Sequence, residues 1–440
     1  MNIRELYNAK KRSPEEAIEL VKSGDKIYTG GNSVILHKAL FDARERLTGV
    51  RVYSQFGAAG PSGKYLLGPE MTGHVSFACT TLSLSGSRGP WPNENLDQVS
   101  ISFSDLDRII EEVIKPDVVL LCGRPMDEYG YINLGSRHGC PRAAVDTGAK
   151  VLVQIDDNIV NSNTDYWRVH ISEVDALCEA ENPKDDGSGG GGPIRTVGET
   201  DGQIAAHITG RIPDGATIQL GAGNVSNALG AFLKDHKNLG VHAETIMASL
   251  VDLMKLGVIN NSRKALLPGV SVSGFVTGGP EVHQYFHNNP TLLLKKISWV
   301  NSPAVISLIP NMVSVNSCLG VDLRGQVCSE SIAMSNTGGI GGQLDFVEGA
   351  RKAPGGQSFL AMHSSVKMKN GETISKITLT LAPGSVVTTP ASDVMNVVTE
   401  FGVAELWGKT VRERARNLIG IAHPEFREKL TYDAKKFGLF

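Results

Sequence analysis

Residues Gly215 to Ser249 read GATIQLGAGNVSNALGAFLKDHKNLGVHAETIMAS. Ala216 to Leu220 alternates and runs into Gly221-Ala222-Gly223-Asn224, after which Val225 to Leu233 carries apolar residues at helical spacing. That order predicts strand, glycine turn, helix. A turn of this kind presents backbone N–H groups at a helix N-terminus, where the peptide dipoles favour negative charge, so it suits an oxyanion or a phosphate. Leu239 to Glu244 then has the cadence of a second buried strand, ending on one carboxylate in an otherwise apolar and small-residue run. Glu244 is therefore either the cap of a helix beginning near Thr245 or a reagent.

The first half of the chain repeats this grammar. Ser13-Pro14-Glu15-Glu16 opens a helix with a cap, a proline in the first turn and acids at the positive end of the dipole. Lys26 to Thr29 reads as a strand, Gly30-Gly31-Asn32 as its turn, and Val34 to Leu47 as the next helix. Gly24 to Gly30 spans 30 − 24 = 6 positions and Gly215 to Gly221 spans 221 − 215 = 6, a shared register. Pro116 to Leu121 further aligns with Pro303 to Leu308, each read as a strand. A duplicated α/β architecture follows, two tandem domains with mainly parallel sheets covered on both faces. The polar, glycine-rich stretch from Asn182 to Pro193 is the linker, giving domains at residues 1–190 and 191–440.

Composition narrows the function. A chain of 440 residues suits two cores rather than one. A net charge of -3 with both signs dispersed offers no footprint for nucleic acid or a membrane surface, leaving small molecules and copies of itself as expected partners. No apolar run approaches the roughly 20 residues that span a bilayer, and the first residues lack a secretory apolar region, so the expectation is a cytoplasmic protein. Cys79, Cys122, Cys140, Cys178, Cys318 and Cys328 lack CxxC spacing and read as reduced, buried thiols.

Several chemistries fail on spacing. The turn lacks the third glycine of the dinucleotide fingerprint, with Asn224, Val225 and Ser226 following Gly223. His242-Ala243-Glu244 has the HxE of zinc deaminases, but no PCxxC supplies the thiolates, so no metal is expected. No GxSxG elbow surrounds Ser329 or Ser331, and nothing near Cys328 activates its thiol. A second glycine run, Gly338-Gly339-Ile340-Gly341-Gly342, lets a ligand or another chain approach its backbone.

Six blocks in order, among them SPEEAIELVKSGDKI, GATIQLGAGNVSNAL, GVHAETIMASLVDLMKLGVINN, NMVSVNSCLGVDLRGQVCSESI and GGIGGQLDF, resemble the acetyl-CoA hydrolase and CoA-transferase family. Its 4-hydroxybutyrate and butyryl-CoA:acetate transferase branch is the most similar. The resemblance implies two tandem domains of the ribose-phosphate isomerase type and transfer of CoA from a short-chain acyl-CoA to a carboxylate, with no cofactor beyond coenzyme A itself as substrate. Glu244 would be the catalytic glutamate, although Ala243 stands where the family motif has threonine. Ala222, within Gly221 to Asn224, and Gly342, with Gly339 and Gly341 beside it, would supply backbone oxyanion and CoA contacts, and Asn288 a substrate contact. Acyl-CoA hydrolysis on the same scaffold is the first alternative; a metabolite-binding regulator, which needs no nucleophile, is the second.

Overall fold

Gly30 and the GAGN turn each follow a central strand of a largely parallel sheet, and Gly31 lies outside the described residues. The computed structural model describes residues 2–30, 32–58, 60–82, 95–137, 139–183 and 197–439. The chain divides into one unit of Met1–Pro193 with Val272–Trp299 and another of Ile194–Ser271 with Val300–Phe440. Of the expected linker from Asn182 to Pro193, residues 184–193, with the 190/191 boundary among them, lie outside the described residues.

In the first unit the strands are β1 (Lys26–Thr29), β2 (Val50–Phe56), β3 (Val75–Thr81), β4 (Leu96–Gln98), β5 (Val118–Gly123), β6 (Lys150–Ile155) and β7 (Ala176–Glu179). They lie in the order β4-β3-β2-β1-β5-β6-β7, every pair parallel. Ile27, Val52, Phe77, Leu120 and Leu152 fill the core on the sheet, which is why these strands read as near-continuous apolar runs. Helix α1 (Pro14–Ile18) starts on the expected box: Ser13 Oγ accepts from the Glu16 amide at 3.1 Å, and the Glu16 carboxylate accepts from the Ser13 amide at 2.8 Å. Helix α2 (Val34–Asp42) is shorter than the Val34 to Leu47 reading, because the chain tightens into a 3₁₀ turn at Arg44–Arg46.

In the second unit β8 (Thr217–Leu220), β9 (Gly240–Ile246), β10 (Met312–Ser317), β11 (Gln357–Ala361), β12 (Asn396–Thr399) and β13 (Gly402–Glu405) lie in the order β9-β8-β10-β11-β12-β13. All these pairs are parallel except the last. Helix α3 (Asn224–Phe232) follows the GAGN turn as expected. One alignment fails: Pro303–Ile306 is a helical turn, not a strand. Ser302 Oγ accepts from the Val305 amide at 3.5 Å, and proline occupies the first helical position, a start signal that overrides the apolar content. The strand beside the glycine-turn strand is instead β10. Val118 lies 118 − 30 = 88 residues after Gly30, and Met312 lies 312 − 221 = 91 after Gly221.

Each sheet thus sets its glycine-turn strand between the next strand in sequence and a much later one, β1 between β2 and β5, β8 between β9 and β10. Such a reversal of strand order opens a crevice at the carboxyl ends of the strands, where open α/β sheets bind ligands. All six cysteines are buried free thiols. Among the described residues, no helix is long and apolar enough to cross a membrane.

Candidate active site

Glu244 is not a helix cap. Strand β9 continues through Thr245 and Ile246, two β-branched residues that favour the extended backbone, and the next helix, α4 (Ala248–Lys255), is N-capped by Met247. The β8–β9 register pairs Thr217 with Gly240 and Ile218 with Val241, an offset of 240 − 217 = 23. Carried forward, that offset brings Glu244 to the same carboxyl edge of the sheet as Gly221.

Alternation along β9 sends His242 and Glu244 to the same side. There they meet consecutive residues. His242 Nε2 donates to the Val300 carbonyl at 2.8 Å, and Asn301 Nδ2 donates to Glu244 Oε2 at 3.1 Å. A carbonyl only accepts, so His242 carries its proton on Nε2, and burial lowers its pKa to about 4 and keeps it neutral. The histidine is a strut that fixes the segment presenting Asn301. Among the described residues, no cluster of three or more His, Cys, Asp or Glu side chains could hold a metal ion.

Helix α5 (Gln343–Lys352) begins directly after the second glycine run, with Gly342 as its N-cap. The Gly342 amide hydrogen-bonds the Glu244 carboxylate, and Asp345 in the first turn of α5 sets a second negative charge nearby. Glu244 is partly buried, and burial is the main cause that raises its pKa to about 7; Asp345 pushes the same way, while Asn301 and Gly342 pull it back. The result is a poorly solvated carboxylate, held by Asn301 and Gly342, that is only partly ionised at neutral pH. A Cβ built at Gly342 would collide with both Glu244 Oε2 and Asn301 Nδ2, so any side chain there would displace the carboxylate and its partner.

The GAGN turn is built on a buried polar layer. Gln219 Nε2 donates to Asn316 Oδ1 at 3.0 Å, Asn316 Nδ2 donates to Gln219 Oε1 at 3.1 Å, and Ser314 Oγ donates to Gln219 Oε1 at 2.8 Å. Asn316 Oδ1 stands 2.5 Å from where a Gly221 Cβ would be, and Ser317 Oγ 2.8 Å from a Gly223 Cβ. Gly221 spends its N–H on the Val315 carbonyl at 2.8 Å. The exposed amides of Ala222 and Gly223 donate to no acceptor among the described residues, which leaves them for a ligand. Asn224 opens α3. Gly339 and Gly341 lie in the loop leading to Gly342, and Gly341 takes the left-handed conformation at φ 57°. Asn288 also has positive φ, and its side-chain oxygen accepts from Asn161 Nδ2 at 2.7 Å within the first unit. Asn301 had no signature in the sequence beyond being a polar residue ahead of the Ser302-Pro303 start signal.

The acetyl-CoA hydrolase/transferase N-terminal domain description matches residues 1–184, and its C-terminal counterpart matches residues 278–434. Over 99% of this chain and 100% of the relative, the sequence is 35% identical to the 4-hydroxybutyrate coenzyme A transferase of Clostridium kluyveri. The chain belongs to the acetyl-CoA hydrolase/transferase family. It is 33% identical to the butyryl-CoA:acetate CoA-transferase of Anaerostipes caccae over 99% of this chain and 98% of that one. The crystal structure of RipA from Yersinia pestis superposes with a TM-score of 0.90 at 32% identity, covering 100% of both chains. Identity of this order to CoA-transferases along the full chain makes the protein an enzyme of the CoA-transferase type. A more distant family member, the acetyl-CoA hydrolase of Kluyveromyces lactis, is 27% identical over 54% of this chain and 46% of its own length.

Proposed function

We propose that the enzyme moves CoA from a short-chain acyl-CoA to a carboxylate acceptor, 4-hydroxybutyrate or butyrate exchanging with acetate, through a thioester formed on Glu244. The observation that carries this is the carboxylate itself: Glu244, poorly solvated and held by Asn301 and Gly342 at the carboxyl edge of the sheet. Its oxygen attacks the thioester carbonyl and expels CoA thiolate, leaving a mixed anhydride. The thiolate then attacks the glutamyl carbonyl, releasing the donor acid and forming glutamyl-CoA. The acceptor carboxylate runs the two steps backwards, so the thioester's energy is conserved. Ala222 and Gly342 donate to the oxygens that become negative, each such donor lowering the barrier by ~3 kcal/mol. Gly221, Gly223, Asn224, Gly339 and Gly341 let CoA lie along the two loops, and Asn288 contacts the substrate. Coenzyme A is a substrate here, and no other cofactor is required. The same reading takes the two units as copies of one ribose-phosphate isomerase-like domain, supported by the matching places of β1 and β8 in their sheets. The enzyme would work in the cytoplasm as a homo-oligomer.

Two measurements test the reading. A matrix of acyl-CoA donors and carboxylate acceptors, with free thiol recorded, should show exchange that depends on the acceptor. Rapid thiol release without any acceptor would instead make the protein an acyl-CoA hydrolase. The pH profile is set by Glu244, which attacks only when ionised. We expect kcat/KM for exchange to fall as pH drops through about 7, with Asp345→Asn moving the midpoint to lower pH because a repelling charge is gone. A profile flat from pH 5 to 8 would place the nucleophile elsewhere. The raised pKa also means that folding favours the protonated group, so this contribution to stability is complete below the ordinary glutamate value and is lost as pH rises through about 7.

A further inference from the structure

The loop that brings Gly342 to Glu244 is staked at both ends. At its start the Thr337 and Gly338 amides donate to the Glu330 carbonyl at 2.8 and 3.2 Å. At its end Gln343, the first residue of α5, donates from Nε2 to Thr389 Oγ1 at 3.0 Å. Both stakes stand in one platform. Val327 and Thr389 form an antiparallel bridge, the Val327 amide donating to the Thr389 carbonyl at 3.0 Å and the Thr389 amide to the Val327 carbonyl at 3.1 Å. The Ser329 amide adds a bond to Thr388 Oγ1 at 2.9 Å. The segment from Cys328 to Ser331, set aside above as a nucleophile, is therefore part of the support for the glycine run. Farther along α5, Arg351 Nη2 donates to Asp393 Oδ1 at 2.8 Å, so the stretch from Thr388 to Asp393 grips the helix at its first residue and again about two turns later.

We infer that Thr389 is a positioning residue for the transfer reaction: by accepting from Gln343 it fixes the start of α5, and so holds the adjoining Gly342 amide on the Glu244 carboxylate. This rests on the reading of Glu244 as the nucleophile. Thr389 suits a fixed point, because its side chain is fully buried, its β-branch limits χ1, and Pro390 after it restricts its backbone to the extended conformation that the bridge uses. Gly342 has no side chain by which to be held, so the half-buried Gln343 is the nearest handle on its amide. Without the bond α5 stays helical, but its first turn gains freedom and the amide leaves the carboxylate more often. That loss has a sign. The Gly342 amide is one of the groups that hold the Glu244 pKa down, so loosening it should make the carboxylate titrate at higher pH. Asp345 of α5 and Asn301 also act on the carboxylate, and His242 lies on the same face of β9; a substitution at residue 389 changes none of them.

Thr389→Val deletes the acceptor and keeps the shape, whereas Thr389→Ser keeps the hydroxyl. In full-length protein whose glutamates carry carbon-13 at the side-chain carboxyl, the Glu244 resonance is assigned by its absence from Glu244→Ala. It should titrate at higher pH in Thr389→Val than in the parent, and at the parent pH in Thr389→Ser. At a pH above the midpoint, kcat/KM for exchange should fall about tenfold in Thr389→Val, the scale of one hydrogen bond's net contribution, and stay within about twofold of the parent in Thr389→Ser. Gln343→Leu should give the same loss, and the double variant no further loss, since each change removes the same bond. Thermal unfolding checks that the variants fold, as the backbone bonds between Val327 and Thr389 do not involve the hydroxyl. A Glu244 carboxyl that titrates alike in parent and Thr389→Val, a Thr389→Ser enzyme as impaired as Thr389→Val, or additive losses in the double variant would overturn the assignment. The carboxyl titration needs no turnover. If Glu244→Ala still exchanged CoA, the reading of the nucleophile would fail, while the hold of Thr389 on Gly342 would still be measured.

Discussion

Glu244→Ala should abolish CoA exchange, lowering kcat/KM by at least about a thousandfold, the scale expected when a covalent nucleophile is lost, while the variant folds as well as the parent. The reasoning starts from position. Glu244 lies at the same carboxyl edge of the sheet as the GAGN turn, on a strand whose next residues, Thr245 and Ile246, are buried, so its ionised form lacks water that would stabilise it. Asn301 and Gly342 compensate as donors. A carboxylate kept that way is costly to the fold and useful to a reaction, because the charge that is poorly solvated at rest is consumed on attack. Glu244→Gln separates the two properties. It keeps an oxygen for Asn301 and Gly342 but carries no charge, so at pH 8 it should melt no lower than the parent and exchange no CoA. Covalency is read separately: acyl-CoA followed by borohydride should reduce a glutamyl thioester to the alcohol and lower the mass of the peptide holding Glu244 by about 14 Da, an oxygen exchanged for two hydrogens. A peptide that never changes mass during turnover, or an alanine variant exchanging at the parent rate, would assign the chemistry to another group.

Much of this arrangement was written locally. The Ser13 cap, the β1 and β8 strands and the turns after them follow from alternation, glycine and capping signals that act over a few residues, and the structure places them within a residue or so of the reading. The errors occur where a boundary depends on tertiary partners. Thr245 and Ile246 stay in β9 although Glu244 reads as a natural helix start, since pairing in the sheet decides where the strand ends. Pro303 to Leu308 has the apolar content of a strand, and a cap and a proline make it a turn of helix. Asn301 was out of reach for another reason: it lies 301 − 244 = 57 residues from Glu244, and its placement depends on the His242 bond to Val300, a contact with no periodicity to announce it. The glycine run before α5 was visible as backbone that something approaches, but only the fold shows that the something is Glu244.

Gly342→Ala should lower kcat/KM by about a hundredfold or more, a loss comparable with removing an oxyanion donor or displacing a nucleophile by an ångström. Backbone strain is not the cause. Gly342 has φ -98° and ψ 9°, a conformation open to alanine, so the loop keeps its fold and any effect comes from the added Cβ. That atom would fall on Glu244 Oε2 and Asn301 Nδ2 together, forcing apart the pair that holds the nucleophile. Gly349, about two turns further along α5, is the control. A Cβ there meets Ile306 Cβ at 2.5 Å, in apolar packing away from the carboxylate. Alanine favours a helix interior by up to about 1 kcal/mol over glycine, but overpacking a filled core costs about 1–3 kcal/mol, so Gly349→Ala should melt lower and keep its kcat/KM. Thermal unfolding and exchange kinetics on the two variants should therefore give opposite patterns, activity lost with stability kept at Gly342, stability lost with activity kept at Gly349. A Gly342→Ala enzyme that exchanges CoA at the parent rate would mean that the loop does not stand over Glu244 during the reaction.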